Sequence, residues 1–277
     1  PVHVARYGTY VTTPNLETSE GKDGTMNIVT TVQNDTDTAA SVTLRQTVYQ
    51  QGVEEAVTSV TSAEATSVSV GGTADVEMTA KVENPALWST DDPNLYTLKT
   101  EVLVGDTVVD TYETEFGFRW TTFNNQYGFA LNGEPVKLKG VCMHHDQGPL
   151  GSEAWYRAIE RQVEILKEMG CNAIRVTHNP AAPELIEIAN EKGMMLIDEA
   201  FDMWVMEKNG NVNDYSTWFE VEIGEDNAIV GGEPDMTWAE FDIKAMANQD
   251  KNSPAVIMYS LGNEIFEGTV NDRASEY

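Results

Sequence analysis

The spacing of the apolar residues changes near residue 136, and this change limits the fold more than any other feature of the sequence. Upstream of it, apolar and polar residues alternate in short stretches, one of which puts Val42, Leu44 and Val48 on a single face. Alternation with a period of two is typical of strands that bury one side. Roughly seven such stretches predict a sandwich of two β-sheets.

After residue 136 the pattern instead repeats a short apolar run followed by a helix-spaced stretch. Four strand–helix repeats in a row predict a parallel sheet, and four is half the number in a (β/α)8 barrel. We therefore expect a multidomain β plus α/β protein, with an immunoglobulin-like β-sandwich at 1–122 and a partial TIM barrel of about four β/α units at 123–277. The strands are predicted at 136–142, 172–176, 194–197 and 255–260, and the helices at 155–169, 183–192 and 237–249.

The fourth predicted strand ends in a polar dipeptide. Its apolar run, 255–259, is followed by Gly262, Asn263 and Glu264. In parallel α/β barrels the carboxyl ends of the strands carry the chemistry. A carboxyl group there is able to exchange a proton, and a carboxamide is able to bind a substrate hydroxyl. The alternative is that both residues only cap the next helix, a position that such residues favour.

Polar residues also follow the other three predicted strands. Taken singly, a histidine is more often a structural hydrogen-bonding group than a ligand. Clusters at four successive strand ends favour a site, because the carboxyl ends of parallel strands meet at one face of a barrel. The clusters are His144, His145 and Asp146 after the first strand, Arg175, Thr177, His178 and Asn179 after the second, and Asp198, Glu199 and Asp202 after the third.

Three segments of this region closely resemble glycoside hydrolase family 2, the β-galactosidase and β-glucuronidase family. They read Gly-Val-Cys-Met-His-His at 140–145, Asn-Ala-Ile-Arg-Val-Thr-His-Asn-Pro at 172–180, and Ser-Pro-Ala-Val-Ile-Met-Tyr-Ser-Leu-Gly-Asn-Glu at 253–264. The resemblance covers nearly the whole chain and is most specific from 136 to 264. It implies a glycosidase that hydrolyses terminal β-glycosides with retention, in the manner of a β-galactosidase.

The resemblance also implies a role for each matching residue. Glu264 is the general acid/base, which we expect to be buried and to start protonated. Asn263 contacts the sugar 2-hydroxyl. His144 and His178 contact sugar hydroxyls, and Arg175 supports the nucleophile electrostatically.

The catalytic nucleophile has no counterpart in this sequence. In related retaining enzymes the acid/base follows the fourth barrel strand and the nucleophile follows the seventh, which implies a nucleophile beyond Tyr277. We therefore expect the chain alone to be inactive. Half a barrel also leaves an open sheet edge, which predicts self-association into a homo-oligomer, or disorder near 265–277.

We expect no metal and no other cofactor. Some β-galactosidases of this family hold magnesium near the acid/base, partly through a carboxylate and a histidine after the third strand. The matching residues here are Asp202 and Trp204, and tryptophan has no atom that ligates a metal. Trp204 is instead predicted to stack on the sugar, with a role as a loop anchor as an equally weighted alternative.

The net charge of −28, from 45 acidic and 17 basic residues, limits the partners of this chain. Such a surface repels nucleic acid and anionic membranes, so we expect a carbohydrate substrate and neither of those partners. No signal peptide or transmembrane segment is visible, and the sequence does not decide the compartment. Cys142 and Cys171 lack metal spacing and are predicted to be reduced core thiols.

Two other functions are kept as alternatives. The first is β-glucuronidase or β-mannosidase specificity; a β-glucuronidase needs basic groups for the substrate carboxylate, and few are present. The second is a non-catalytic carbohydrate-binding module, in which the 1–122 sandwich would bind the sugar. No part of that segment clusters aromatic residues on one face, which argues against it.

Overall fold

The structure is a computed structural model that describes residues 1–226, 229 and 231–265. The chain divides into two compact units, Pro1–Lys137 with Asn252–Pro254, and Leu138–Lys251 with Ala255–Tyr277. The disorder expected near 265–277 falls on residues outside the described part, apart from Ile265. Among the described residues, no helix is long and apolar enough to cross a membrane.

Eight strands build most of the first unit, in two antiparallel sheets. One sheet has the order β1-β2-β6, and the other has β4-β3-β7-β8 with β5 paired to β3. The strands are β1 (Val2–Thr12), β2 (Asp23–Asn34), β3 (Ala40–Gln50), β4 (Ala56–Thr61), β5 (Thr66–Val68), β6 (Thr73–Glu83), β7 (Tyr96–Val104) and β8 (Thr107–Phe116).

The inner faces of these sheets follow the alternation in the sequence. Val42, Leu44 and Val48 of β3 are all buried, as the period of two predicts. Trp88 and Tyr96 are also fully buried, and the Tyr96 ring meets Phe118 edge-on at 4.8 Å between centroids. The β-sandwich predicted from the sequence is therefore present, with aromatic side chains filling one end of its core.

A three-stranded antiparallel sheet follows the sandwich within the first unit. It consists of β9 (Thr121–Asn124), β10 (Gly128–Leu131) and β11 (Glu134–Pro135). Asn132 and Gly133 form the turn between β10 and β11 with positive φ angles of 52° and 82°, a conformation that these two residue types tolerate best. The domain boundary at 122/123 remains our proposal, and β9 of this small sheet spans it.

The second unit alternates strands and helices. Its four strands form a parallel sheet in sequence order, β12-β13-β14-β15. This is the partial barrel sheet that the strand–helix repeats predict. The elements are β12 (Gly140–Met143), α1 (Tyr156–Glu168), β13 (Ala173–Val176), α2 (Pro183–Lys192), β14 (Met195–Glu199), α3 (Trp238–Asp250) and β15 (Val256–Ser260), with 3₁₀ turns at Gly148–Leu150 and Tyr215–Thr217.

The helices begin and end where the sequence signals predict. Thr237 caps α3, and its hydroxyl accepts a hydrogen bond from the Glu240 N–H at 3.2 Å. Pro183 opens α2, and Gly193 ends it with a left-handed φ of 69°. These caps fix the lengths of the connections and hence the positions at which the strands start.

Exposed side chains of the second unit include Ile165, Met258 and Cys142. Ile165 of α1 is exposed because it lies two residues after buried Val163 and therefore on the opposite side of the helix. Met258 of β15, within the apolar run 255–259, is 37% exposed. Cys142 of β12 is exposed instead of lying in the core. Both strands are edges of the described sheet, so one side of each lacks a described neighbour.

Candidate active site

The side chains predicted to form the site lie at the carboxyl ends of the parallel strands in the second unit. Arg175 belongs to β13 and Glu199 to β14, while Asn263 and Glu264 follow β15. His178 lies two residues after β13. Because neighbouring parallel strands run in the same direction, their ends bring these residues together.

Glu199 is the centre of the arrangement. Its side chain is fully buried and accepts hydrogen bonds from Arg175 at Oε2, from Nε at 3.0 Å and from Nη2 at 2.6 Å. The Ser260 hydroxyl donates to the same oxygen at 2.8 Å, and His178 Nδ1 contacts Oε1. An ionised carboxylate only accepts, so His178 carries a proton on Nδ1. Glu199 thus joins three adjacent strand ends through a single buried charge.

The network continues from Arg175 to the Asn263–Glu264 dipeptide. Arg175 Nη2 donates to Asn263 Oδ1 at 3.0 Å, and Asn263 Nδ2 donates to Asp202 Oδ1 at 2.9 Å. The main-chain N–H groups of Asn263 and Glu264 donate to the carbonyls of Phe201 and Asp202. The orientation of the Asn263 amide is therefore fixed by a donor on one side and an acceptor on the other.

Lys208 holds the opposite side of this network. Its Nζ lies 2.9 Å from Asp202 Oδ1 and 2.7 Å from Glu264 Oε2. Burial raises the pKa of Asp202, but the hydrogen bonds from Lys208 and Asn263 outweigh it and hold that pKa below its ordinary value. The contacts with Asp202 and then Glu264 raise the pKa of Lys208. Both partners are therefore charged at neutral pH.

Two predicted residues differ in exposure from what the sequence suggested. Glu264 is 52% exposed, so the burial expected for a general acid is not supplied by the described residues. Trp204 is fully buried, donates from Nε1 to the Leu261 carbonyl at 3.0 Å, and stacks against Phe219. This placement favours the loop-anchor interpretation of Trp204 over stacking on a sugar.

His144 is exposed and packs its ring edge-on against His178, with 5.3 Å between the ring centroids. His145, the next residue, is half-buried, and burial lowers its pKa. Its Nδ1 lies 2.8 Å from Asn179 Nδ2. Of the two histidines, His144 is therefore the one that the structure brings to His178.

A buried pair of carboxyl groups stands behind Glu199. Asp198 accepts from the Ala181 and Glu199 N–H groups, and its side chain is hydrogen-bonded to Asp250 at the end of α3. Burial raises the pKa of both groups, and burial together with the hydrogen bond to Asp198 raises the pKa of Asp250 to about 9. Asp250 therefore keeps its proton at neutral pH and ties α3 to β14.

The residues of this region do not fit a magnesium site. The Lys208 ammonium lies between Asp202 and Glu264, the two carboxylates that a metal would have to share. At position 204 the indole N–H is a donor and points to a carbonyl. Magnesium prefers oxygen ligands in octahedral geometry, and a cation already occupies the space between these two.

A cavity of about 460 Å³ adjoins the network. Its walls include His178, Asp202 and Lys208 from the network, and Phe201 and Tyr215 from the segment after β14. Cavities of roughly 300–1,000 Å³ are typical of small-molecule sites. The described residues therefore leave room for a ligand beside these charged groups.

Sequence reasoning missed two main parts of this network. The sequence gives Glu199 no role beyond its place at a strand end, and it does not single out Lys208. A signal for Glu199 exists in the sequence, because the strand that it ends begins with three apolar residues, Met195, Leu196 and Ile197, and a buried carboxylate requires paired donors. No local pattern marks Lys208, because its two partners are 6 and 56 positions away.

Comparison with known proteins identifies the family. The model of glycosyl hydrolases family 2 matches residues 2–119, and that of the glycosyl hydrolases family 2 TIM barrel domain matches 124–275. β-Galactosidase BoGH2A of Bacteroides ovatus is 39% identical over 267 residues, which is 96% of this chain and 29% of that protein. A putative β-glucuronidase of Formosa agariphila is 40% identical over 185 residues, 66% of this chain and 16% of that protein.

Solved structures agree with this result. A glycosyl hydrolase family 2 member from Bacteroides cellulosilyticus superposes over 100% of this chain and 33% of its own, with a TM-score of 0.85 and 33% identity. The chain thus spans about a third or less of the length of these relatives. The β-sandwich and the partial TIM barrel both have counterparts in the matched regions, and the resemblance seen in the sequence is confirmed. The chain belongs to glycosyl hydrolase family 2.

Proposed function

We propose that this chain carries the acid/base side of a retaining β-glycosidase site, with terminal β-galactosides as substrates. The observation that carries the proposal is the chain of hydrogen bonds from His178 through Glu199 and Arg175 to Asn263, the neighbour of Glu264. It fixes donors and acceptors on one rim of the sheet. With Nδ1 of His178 bound to Glu199, Nε2 is the ring nitrogen left for a substrate hydroxyl.

In this mechanism Glu264 protonates the glycosidic oxygen while a second carboxylate attacks the anomeric carbon. Glu264 then removes a proton from the water that releases the sugar. The two carboxyl groups are expected to lie roughly 5–5.5 Å apart. Among the described carboxylates, Glu199 is buried and bonded to three groups, and Asp202 is bonded to two. Neither of these two carboxylates is therefore expected to be the nucleophile, which the family resemblance implies to lie beyond Tyr277.

The charged side chains among the described residues favour a neutral sugar as the substrate. Arg175 is bonded to Glu199 and Asn263, and Lys208 to Asp202 and Glu264. Neither cation is thus available for the carboxylate of a uronic acid. The high identity to a β-galactosidase over 96% of this chain supports the same choice. The putative β-glucuronidase, similar over 66% of the chain, supports β-glucuronide hydrolysis as the second candidate.

The specificity is tested with the product of the complete gene and three p-nitrophenyl substrates, the β-galactoside, β-glucuronide and β-mannoside. We expect the highest kcat/KM on the β-galactoside. A higher value on the β-glucuronide would instead select the second candidate. Residues 1–277 on their own are expected to give no turnover.

The role of Glu264 is tested in the same protein with Glu264→Ala. General acid–base catalysis contributes about 10²- to 10⁴-fold, so turnover of substrates with poor leaving groups is expected to fall by that order. Azide needs no proton removed in order to attack, so it is expected to restore turnover of an activated substrate and to yield a β-glycosyl azide. Glu240→Gln, on the surface of α3, is the matched control. A Glu264→Ala protein with full activity on poor leaving groups would contradict the assignment.

A further inference from the structure

Lys208 is the one cationic side chain, within the described part of the chain, that contacts Glu264. It lies in the segment between β14 and α3, and its Nζ is 2.7 Å from Glu264 Oε2 and 2.9 Å from Asp202 Oδ1. Its side chain is 29% exposed. One ammonium therefore joins the proposed acid/base to a carboxylate from the preceding strand end.

The loop around Lys208 is built to hold this ammonium in place. The Lys208 N–H donates to Asp214 Oδ2 at 2.7 Å, and Asp214 Oδ1 accepts from the Ser216 N–H at the start of a 3₁₀ turn. Four residues before Lys208, the buried Trp204 indole is bonded to the Leu261 carbonyl. The main chain is thus fixed on both sides of Lys208, which limits the positions that its Nζ reaches.

The contacts of Lys208 affect both residues of the Asn263–Glu264 dipeptide. Glu264 is held directly. Asn263 is held through Asp202, because Asp202 Oδ1 accepts from both Lys208 Nζ and Asn263 Nδ2. Ion pairs exposed to this degree contribute little to stability, so the fold alone gives no strong reason for the arrangement. Orientation of a reacting group, by contrast, depends strongly on such contacts.

We propose that Lys208 is a positioning residue for the proton-transfer steps, which holds the Glu264 carboxyl and, through Asp202, the Asn263 amide. The proposal rests on the proposed function of Glu264. The charged groups around the ammonium are Asp202, Glu264 and Asp214, and His178 faces Asp202.

The contact is tested without any need for activity, in residues 1–277. Lysine labelled with ¹⁵N at Nζ allows the Lys208 signal to be titrated by NMR, with Lys208→Arg to assign it. Because Asp202 and Glu264 raise the pKa of Lys208, Glu264→Gln is expected to lower its titration midpoint, and Asp202→Asn is expected to lower it likewise. Unchanged midpoints in both variants would overturn the proposal.

The positioning role is tested in the product of the complete gene. Lys208→Met is expected to lower kcat by roughly 10- to 100-fold, with KM changed by less than about threefold. Lys208→Arg keeps the charge and is expected to restore most of the lost kcat, because a guanidinium is also able to contact both carboxylates.

Lys244→Met is the matched control, since it removes an ammonium paired with Glu240 on α3 of the same unit. It is expected to leave kcat and KM as in the parent protein. An active parent whose Lys208→Met variant keeps its kcat would refute the positioning role. An inactive parent would contradict the proposed function, and the NMR titration would then still decide whether Lys208 contacts Glu264.

Discussion

Replacing Glu199 with glutamine tests how much of the second unit depends on the site. The carboxylate is fully buried and bonded to Arg175, His178 and Ser260. Glutamine has nearly the same shape, but it loses the charge and turns two N–H donors toward groups that also donate. The change therefore isolates the electrostatic contribution without creating a cavity.

The expected loss of stability follows from the exposure of the two ion-pair partners, Glu199 and Arg175. Breaking a fully buried ion pair costs about 3–5 kcal/mol. The Arg175 side chain is 34% exposed, so water compensates part of its lost pairing, as it does at exposed pairs. We therefore expect Glu199→Gln to destabilise the sheet of the second unit by about 2–3 kcal/mol, which corresponds to a factor of about 30 to 150 in an opening equilibrium.

Hydrogen exchange read by mass spectrometry measures this loss segment by segment. Peptides that cover β13 and β14 are expected to exchange about 30 to 150 times faster in the variant, while peptides from β2 and β6 of the sandwich exchange as before. Glu240→Gln, which breaks an exposed pair on α3, is expected to leave both sets unchanged. Unaltered protection of β14 in Glu199→Gln, or equal losses in both units, would refute the reasoning.

Two further substitutions give separate tests. Trp204→Ala is expected to lower the stability of the second unit by about 3–5 kcal/mol, measured in a denaturant titration. Trp204→Phe is expected to leave the KM of the complete gene product unchanged. A large rise in KM would instead favour the interpretation that Trp204 stacks on the sugar. The pKa of Asp250 is raised to about 9 in the folded chain, whereas an unfolded aspartate has a pKa of about 3.9. The protonated Asp250 therefore stabilises the fold fully below about pH 4, and this stabilisation is lost as the pH rises toward 9. Asp250→Asn cannot ionise, and its melting temperature is expected to fall less between pH 5 and 9 than that of the parent, which differential scanning calorimetry at several pH values checks.

The sequence predicts the architecture well because each unit has a strong local period. In β3 the alternation that puts Val42, Leu44 and Val48 on one face is also the alternation of burial in the structure. The helix signals at Pro183, Gly193 and Thr237 act through main-chain hydrogen bonds within one turn. Such features are local, and a single sequence contains all the information that fixes them.

The sequence predicts which residues form the site better than it predicts how they contact one another. His178, Arg175 and Asn263 are brought together as expected, because parallel strands align their ends. Which carboxylate holds them, and which cation reaches Glu264, depends on side chains that approach from the next strand or from a long loop. The exposure of Cys142 and Met258 depends on what lies beside the edge strands, and no local pattern reports it.

The buried carboxylate of Glu199 also governs how the three strands can align. Its partners come from β13 on one side and from β15 on the other. The pairing of β14 with β15 is irregular between Leu196 and Ile197, and this irregularity brings Ser260 opposite Glu199. A slip of either neighbour by one residue would turn its donor to the other face of the sheet. An unpaired charge would then remain in the interior. A misaligned sheet would thus be unstable and would also separate Glu199 from the donors of the neighbouring strands.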